Sequence, residues 1–177
     1  MSVKSFKTSG IKVDLAPQGL VLLNTTSFSA VSSVSAPTGT FNSTYDSYRL
    51  VLYATHSINS VANIRFRTSG SDNTNSNYQK FGVFAGFSSA VSRLNVSGAN
   101  TLDLFGNNSN ETLVDVDIFN PNQVNKTRMN GFWWSASTGD SYAGTLTFDA
   151  NTVFDSISFF PGSGTVTGRL LIYGYNQ

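Results

Sequence analysis

The stretch "ETLVDVDIFNPN", Glu111 to Asn122, alternates apolar and polar side chains with a period of two. Val114, Val116 and Ile118 face one way, Asp115 and Asp117 the other. Successive side chains on a strand point to opposite faces, so this pattern describes a β-strand with one face buried. It recurs in "SYRLVLYATHS", where Tyr48, Leu50, Leu52 and Ala54 alternate with Arg49, Val51, Tyr53 and Thr55. In "NIRFRTSG", Ile64 and Phe66 alternate with Arg65 and Arg67. Nowhere does an apolar period of 3.6 persist with helix caps around it. The chain therefore reads as all-β.

The other segments fit that class. Gly19–Leu23 and Phe28–Val34 give one or two strands, "PTGTFNSTYD" a loop, and "SGSDNTNSN" a polar loop with no apolar residue. "YQKFGVFAGFSS" is a strand interrupted by Gly82 and Gly86, where a bulge or close backbone approach is expected. "SRLNVSGANTLDLFG" predicts two short strands around a Ser-Gly-Ala-Asn turn, and "KTRMNGFWWSASTG" and "YAGTLTFDA" complete the middle. At the end, Ile157 and Phe159 lie opposite Ser156 and Ser158. Pro161–Gly164 then supplies turn chemistry before the apolar run Thr165–Tyr175. Two such runs predict a hairpin, with the last strand tied into the sheet. Short strands about every 8–12 residues indicate a sandwich or barrel. Without an internal repeat, the simplest architecture is a jelly-roll-like antiparallel β-sandwich of about eight to ten strands. It spans 20–177, behind a short N-terminal arm, 1–19, that contains the alternating piece "GIKVDLAP".

At 177 residues, 40% of them apolar, the chain suits one domain with a sizeable core. Charged residues make up only 12%, about half the usual share, and Asn, Ser, Thr and Gly supply the polarity instead. Such a surface fits a protein that works inside an assembly. The net charge of +1 offers no electrostatic argument for nucleic acid or an anionic membrane as partner. There is no cysteine for disulfides or thiolate metal sites. The opening "MSVKSFKTSG" lacks the apolar core of a signal peptide, and no run approaches the roughly 18 apolar residues of a membrane span. The N-x-[S/T] sequons at Asn24, Asn42, Asn95, Asn107, Asn110 and Asn125 are then chance in an Asn/Ser/Thr-rich chain.

Candidate chemistry is sparse. Asp115 and Asp117 lie two apart on one strand face, roughly 6.5–7 Å between Cα atoms, a separation of the order used by glycosidase carboxylates. A solvent-facing strand accounts for them more simply. His56 is the one histidine, and no G-x-S-x-G elbow accompanies it. The run Asp72–Asn77, "DNTNSN", lacks the Gly and Glu that an EF-hand calcium loop requires, and "PGSGTVTGR" leads into a strand rather than the helix of a phosphate loop. No catalytic residue, metal or cofactor is assigned. The informative pair is Trp133 and Trp134. Adjacent strand residues point to opposite faces, so in a two-layer sandwich one of them faces outward, as an interface or a stacking platform for a sugar ring, unless a local irregularity buries both. Trp133, Trp134 and Tyr142 are the candidate interaction residues, with Trp134 or Tyr142 as the platform.

Four stretches in order, "YDSYRLVLYATHS", "NIRFRTSGSDNTNSNYQ", "VDVDIFNPNQVNKTR" and "FDSISFFPGSGTVTGRLLIYGY", resemble a domain common in tailed-phage virion proteins, especially those of marine and cyanobacterial phages. The likeness covers about Leu20 to Tyr175; its most specific pieces are the RF…SNY segment and "GRLLIYGY". It implies a non-enzymatic virion structural role in fibres, tail appendages or capsid decorations, and brings no catalytic residues. The chain has no shaft, heptad run or collagen-like repeat, which favours a small accessory module docked on a head or tail surface. The expected partners are further copies, as a homotrimer, and major capsid or tail proteins, with a host surface glycan as the alternative through a tail-fibre recognition module. The expected location is the virion, after synthesis in the host cytoplasm.

Overall fold

A computed structural model describes residues 19–86, 90–104, 109–135 and 139–176. Apart from Gly19, the expected arm lies outside them, as does Asn107. Among the described residues the chain forms thirteen strands and no helix. The first seven are β1 (Gly19–Val31), β2 (Val34–Ser35), β3 (Ser47–Ser60), β4 (Ala62–Thr68), β5 (Ser71–Asp72), β6 (Tyr78–Ala85) and β7 (Ser92–Ala99). There follow β8 (Leu102–Asp103), β9 (Ser109–Phe119), β10 (Thr127–Ser135), β11 (Asp140–Phe148), β12 (Ser156–Pro161) and β13 (Val166–Asn176).

Four antiparallel pairings make the frame: β1 with β13, β2 with β12, β3 with β9, and β4 with β8. The first half of the chain thus lies against the second as one long ribbon. Successive pairs of the ribbon fall alternately in two sheets, and β13–β3 and β12–β4 contacts close the winding. This is the two-layer jelly roll. The strands beyond that set of eight come from two insertions. β6 and β7, from one, and β10 and β11, from the other, extend a single sheet to the order β1-β13-β3-β9-β10-β11-β6-β7. The second sheet runs β2-β12-β4-β5, with β8 also on β4.

The alternation read from the sequence sets the core. Tyr48, Leu50, Leu52 and Ala54 of β3, Val114, Val116 and Ile118 of β9, and Ile64 and Phe66 of β4 are all buried. Beneath the extension, an aromatic chain fills the space. Phe154 lies 4.9 Å from Phe66 and 5.0 Å from Phe148, which lies 4.9 Å from Tyr78, ring centre to ring centre. The Tyr78 hydroxyl accepts from the Phe66 amide and donates to the Asn73 carbonyl, so a large aromatic is buried without orphaning its polar end.

One expectation needs correction. The closing segments do not form a hairpin: β12 pairs with β2 and β4 in one sheet, β13 with β1 and β3 in the other. Pro161–Gly164 is a corner between layers, held where Gly162 N–H donates to the Val61 carbonyl and Ser163 N–H to Ser60 Oγ. Ser156 and Ser158, opposite Ile157 and Phe159, are buried as well; Ser156 Oγ donates to the Ala36 carbonyl and Ser158 Oγ to Asp72. The last strand is nonetheless internal, between β1 and β3, through Asn176.

A row of glycines crosses the extension: Gly131 of β10 opposes Gly144 of β11, which opposes Gly82 of β6. The backbones approach so closely that a Cβ on Gly144 would sit 2.2 Å from the Phe81 carbonyl oxygen, and one on Gly82 2.3 Å from that of Ala143. The expected close approach at Gly82 is therefore present. Gly144→Ala should destabilise the fold by roughly 1–3 kcal/mol through overpacking, measured as a lowered urea midpoint.

His56 is buried, its Nε2 2.8 Å from Thr112 Oγ1 and its ring edge-on to Phe159. Burial holds the imidazole below its ordinary pKa. The unfolded chain then binds more protons, so stability is full above the free histidine value of about 6.5 and falls as pH drops below it. Denaturant midpoints should decline from about pH 7.5 to about pH 5.5, and His56→Gln should flatten part of that slope.

Candidate functional site

The outward faces of the two sheets differ in chemistry. On the five-stranded sheet, Arg65 lies over the Phe160 ring at 4.8 Å and donates to the Asn100 carbonyl. Arg67 pairs with Asp72, which also accepts from Ser158. That face is polar and its groups are engaged with one another. Asp72 of the "DNTNSN" run is thus committed to protein partners.

The eight-stranded sheet presents an apolar field instead. In register across three strands lie Tyr53, Leu113 and Trp134. The next outward row holds Val51, Asp115, Phe132, Ala143 and Val83. Phe132 is 69% exposed, Trp134 37%, and Tyr53, Leu113 and Val83 are exposed as well. Sheet pleating makes this possible: Trp133 and Trp134 share a strand but not a face. Exposed large side chains grouped this way mark a contact surface, whereas scattered single ones do not.

Of the sequence candidates, Trp134 alone joins this field. Trp133 is 1% exposed and stacks at 6.0 Å on Tyr142, itself 7% exposed. Both are core residues, which corrects their assignment to an interaction surface and removes Tyr142 as a stacking platform. Tyr142 pairs in register with Trp133, and that shared inward parity decides its burial. Tyr53, Leu113, Phe132 and Val83 were not singled out from the sequence, although Phe132 has the same parity as Trp134. Their grouping depends on strand neighbours that only the register supplies.

Further along the same strands the outward face turns polar. Arg49 of β3 pairs with Asp115 at 2.5 Å, and the Tyr175 hydroxyl donates to Asp117 at the same distance. The hydrogen bond to Asp115 raises the guanidinium pKa above its ordinary value. Each carboxylate of the candidate pair is therefore held by its own cross-strand partner on an open sheet face. Among the described residues, no group of three or more His, Cys, Asp or Glu is placed to hold a metal ion.

Beyond this ladder lies a depression of about 390 Å³ lined by two successive outward rows, Phe81, Thr145 and Asn130, then Gln79, Thr147 and Arg128. It shares Arg128 and Lys126 with a second of about 480 Å³, lined otherwise by Asn120, Asn125 and Asn151. Asp149 stands at the junction, bonded by Lys126 and, at 2.9 Å, by Gln79 Nε2. The hydrogen bond from Lys126 keeps its carboxyl below the ordinary value.

Compared with protein-family models, with curated proteins and with solved structures, the chain matches none.

The two tryptophans should separate cleanly on substitution. Trp133→Ala should cost about 3–5 kcal/mol of stability, and Trp134→Ala should stay within about 1 kcal/mol of wild type, both read from chemical denaturation.

Proposed function

We propose that this protein is a non-enzymatic structural component of a tailed-phage virion. It is a small accessory module docked on the capsid, as a decoration or head fibre, or on the tail as an appendage. The observation that supports this reading is the exposed field of Tyr53, Leu113, Phe132, Trp134 and Val83 on a flat sheet face. Such a surface holds a neighbour by excluding water over a wide area and needs no ionic chemistry. Permanent assemblies commonly bury more than about 2,000 Å² this way. Its first occupant is another copy of the chain, in a trimer that the neighbouring capsid or tail protein then receives. The resemblance of "GRLLIYGY" and its companion stretches to tailed-phage virion domains points in the same direction.

A second reading, carbohydrate recognition within a tail fibre, is favoured by a different observation. The adjoining depressions are lined by side-chain amides and hydroxyls around one exposed phenyl ring.

Light scattering of the purified chain should give a trimer, and the chain should sediment with virions. A Leu113→Asp/Phe132→Asp variant should melt within a few degrees of wild type, yet elute as a monomer and no longer sediment with particles. A wild-type chain that stays monomeric and never accompanies particles ends the virion reading. A double variant that assembles unchanged removes the exposed field as the docking surface.

A further inference from the structure

We infer that the paired depressions form a binding site for an anionic glycan, with Phe81 stacking on a sugar ring and Arg128 receiving the sugar's carboxylate. The inference rests on the carbohydrate reading and adds to it the charge class and the residues.

Four observations carry it. First, the lining matches what vicinal hydroxyls require: amides that donate and accept together at Asn130, Asn151 and Gln79, and hydroxyls at Thr145 and Thr147. Second, the ring of Phe81, which lines the first depression, is 42% exposed, in register beside Thr145 and Asn95, and so offers a flat apolar face next to polar groups.

Third, the walls are already ordered. The loop from Asn120 to Lys126 is pinned where Asn122 Nδ2 donates to the Phe41 and Phe154 carbonyls. Gln123 Nε2 donates to Asp46, and the Asn120 amide to the Asp46 carbonyl. Groups fixed before the ligand arrives spare the ordering cost of binding, which matters for a ligand as heavily hydrated as a sugar.

Fourth, the charges do not cancel. Lys126 and Arg128 face one carboxylate, Asp149, and Lys126 and Gln79 already occupy that carboxylate. The Arg128 guanidinium makes no side-chain hydrogen bond or ion pair among the described residues; it acts on Asp149 through charge alone, so its donors stay available at the seam of the two depressions. A guanidinium binds a carboxylate through two parallel hydrogen bonds, which a neutral hexose cannot return. The neighbouring ladder does not compete, because Asp115 is taken by Arg49 and Asp117 by Tyr175.

The test is an array of oligosaccharides printed in pairs, each neutral chain beside its uronate- or sialate-bearing counterpart, followed by titration calorimetry on the pair that binds. The wild type should prefer the acidic member at least tenfold, and raised salt should narrow the gap. Arg128→Gln should abolish that preference, and Phe81→Ala should weaken both members at least tenfold. Equal binding of both members, unaltered by Arg128→Gln, overturns the anionic assignment and leaves carbohydrate recognition standing. Binding to no member overturns both.

Discussion

The structure depends on one arrangement: Leu50, Leu52, Val114, Val116, Leu170 and Ile172, on three neighbouring strands of the wide sheet, all buried against the second layer. Each such side chain contributes about 1.5–3 kcal/mol when taken out of water. A register slip of one residue would turn each set outward, so burial and register enforce each other. The same parity determines the opposite face. Once Leu50 and Leu52 are inside, Arg49, Val51 and Tyr53 must be outside. The exposed field and the polar groove are therefore consequences of the core as much as separate features.

The two insertions give that outward face its size. A jelly roll of eight strands closes on itself, with narrow sheets. Here β10, β11, β6 and β7 add to one layer only, and the added strands carry Phe132, Trp134, Val83 and Phe81. The crossing row of Gly131, Gly144 and Gly82 brings the backbones of the addition together, with the aromatic chain from Tyr78 to Phe154 packed beneath. A rigid platform results, apolar at one end of its strands and rich in amides at the other. The five-stranded sheet spends its outward polar groups on one another. Among the described residues, the wide face is where exposed large apolar side chains gather in register.

Much of the fold was legible because the pleat acts locally. The buried set on β3, β4 and β9 follows from alternation alone, and the outward turn of one tryptophan follows from adjacency. Legibility ended where a strand had to choose a neighbour. The segments on either side of Pro161–Gly164 have the composition of a hairpin, yet β12 and β13 belong to different layers, because each finds its partners far away in the chain, the nearest being Ser156 with Arg67. Tyr142 failed as a surface candidate for a related reason. Its own segment does not show which strand faces it, and its pairing with Trp133 puts it under the sheet. The groove was invisible in the chain order, since Gln79, Arg128, Thr145 and Asn151 come from separate segments.

By itself the chain order determined that this protein is built of strands, which faces of its most regular strands are apolar, and that adjacent tryptophans on a regular strand turn to opposite faces. These follow from covalent geometry, which turns successive side chains to opposite sides whatever lies beyond. The tertiary structure alone decided which strands adjoin and which layer each enters, and so which outward residues gather into a field or a groove. That choice is made by long-range backbone pairing and shared burial, and neither is encoded in any short stretch of residues.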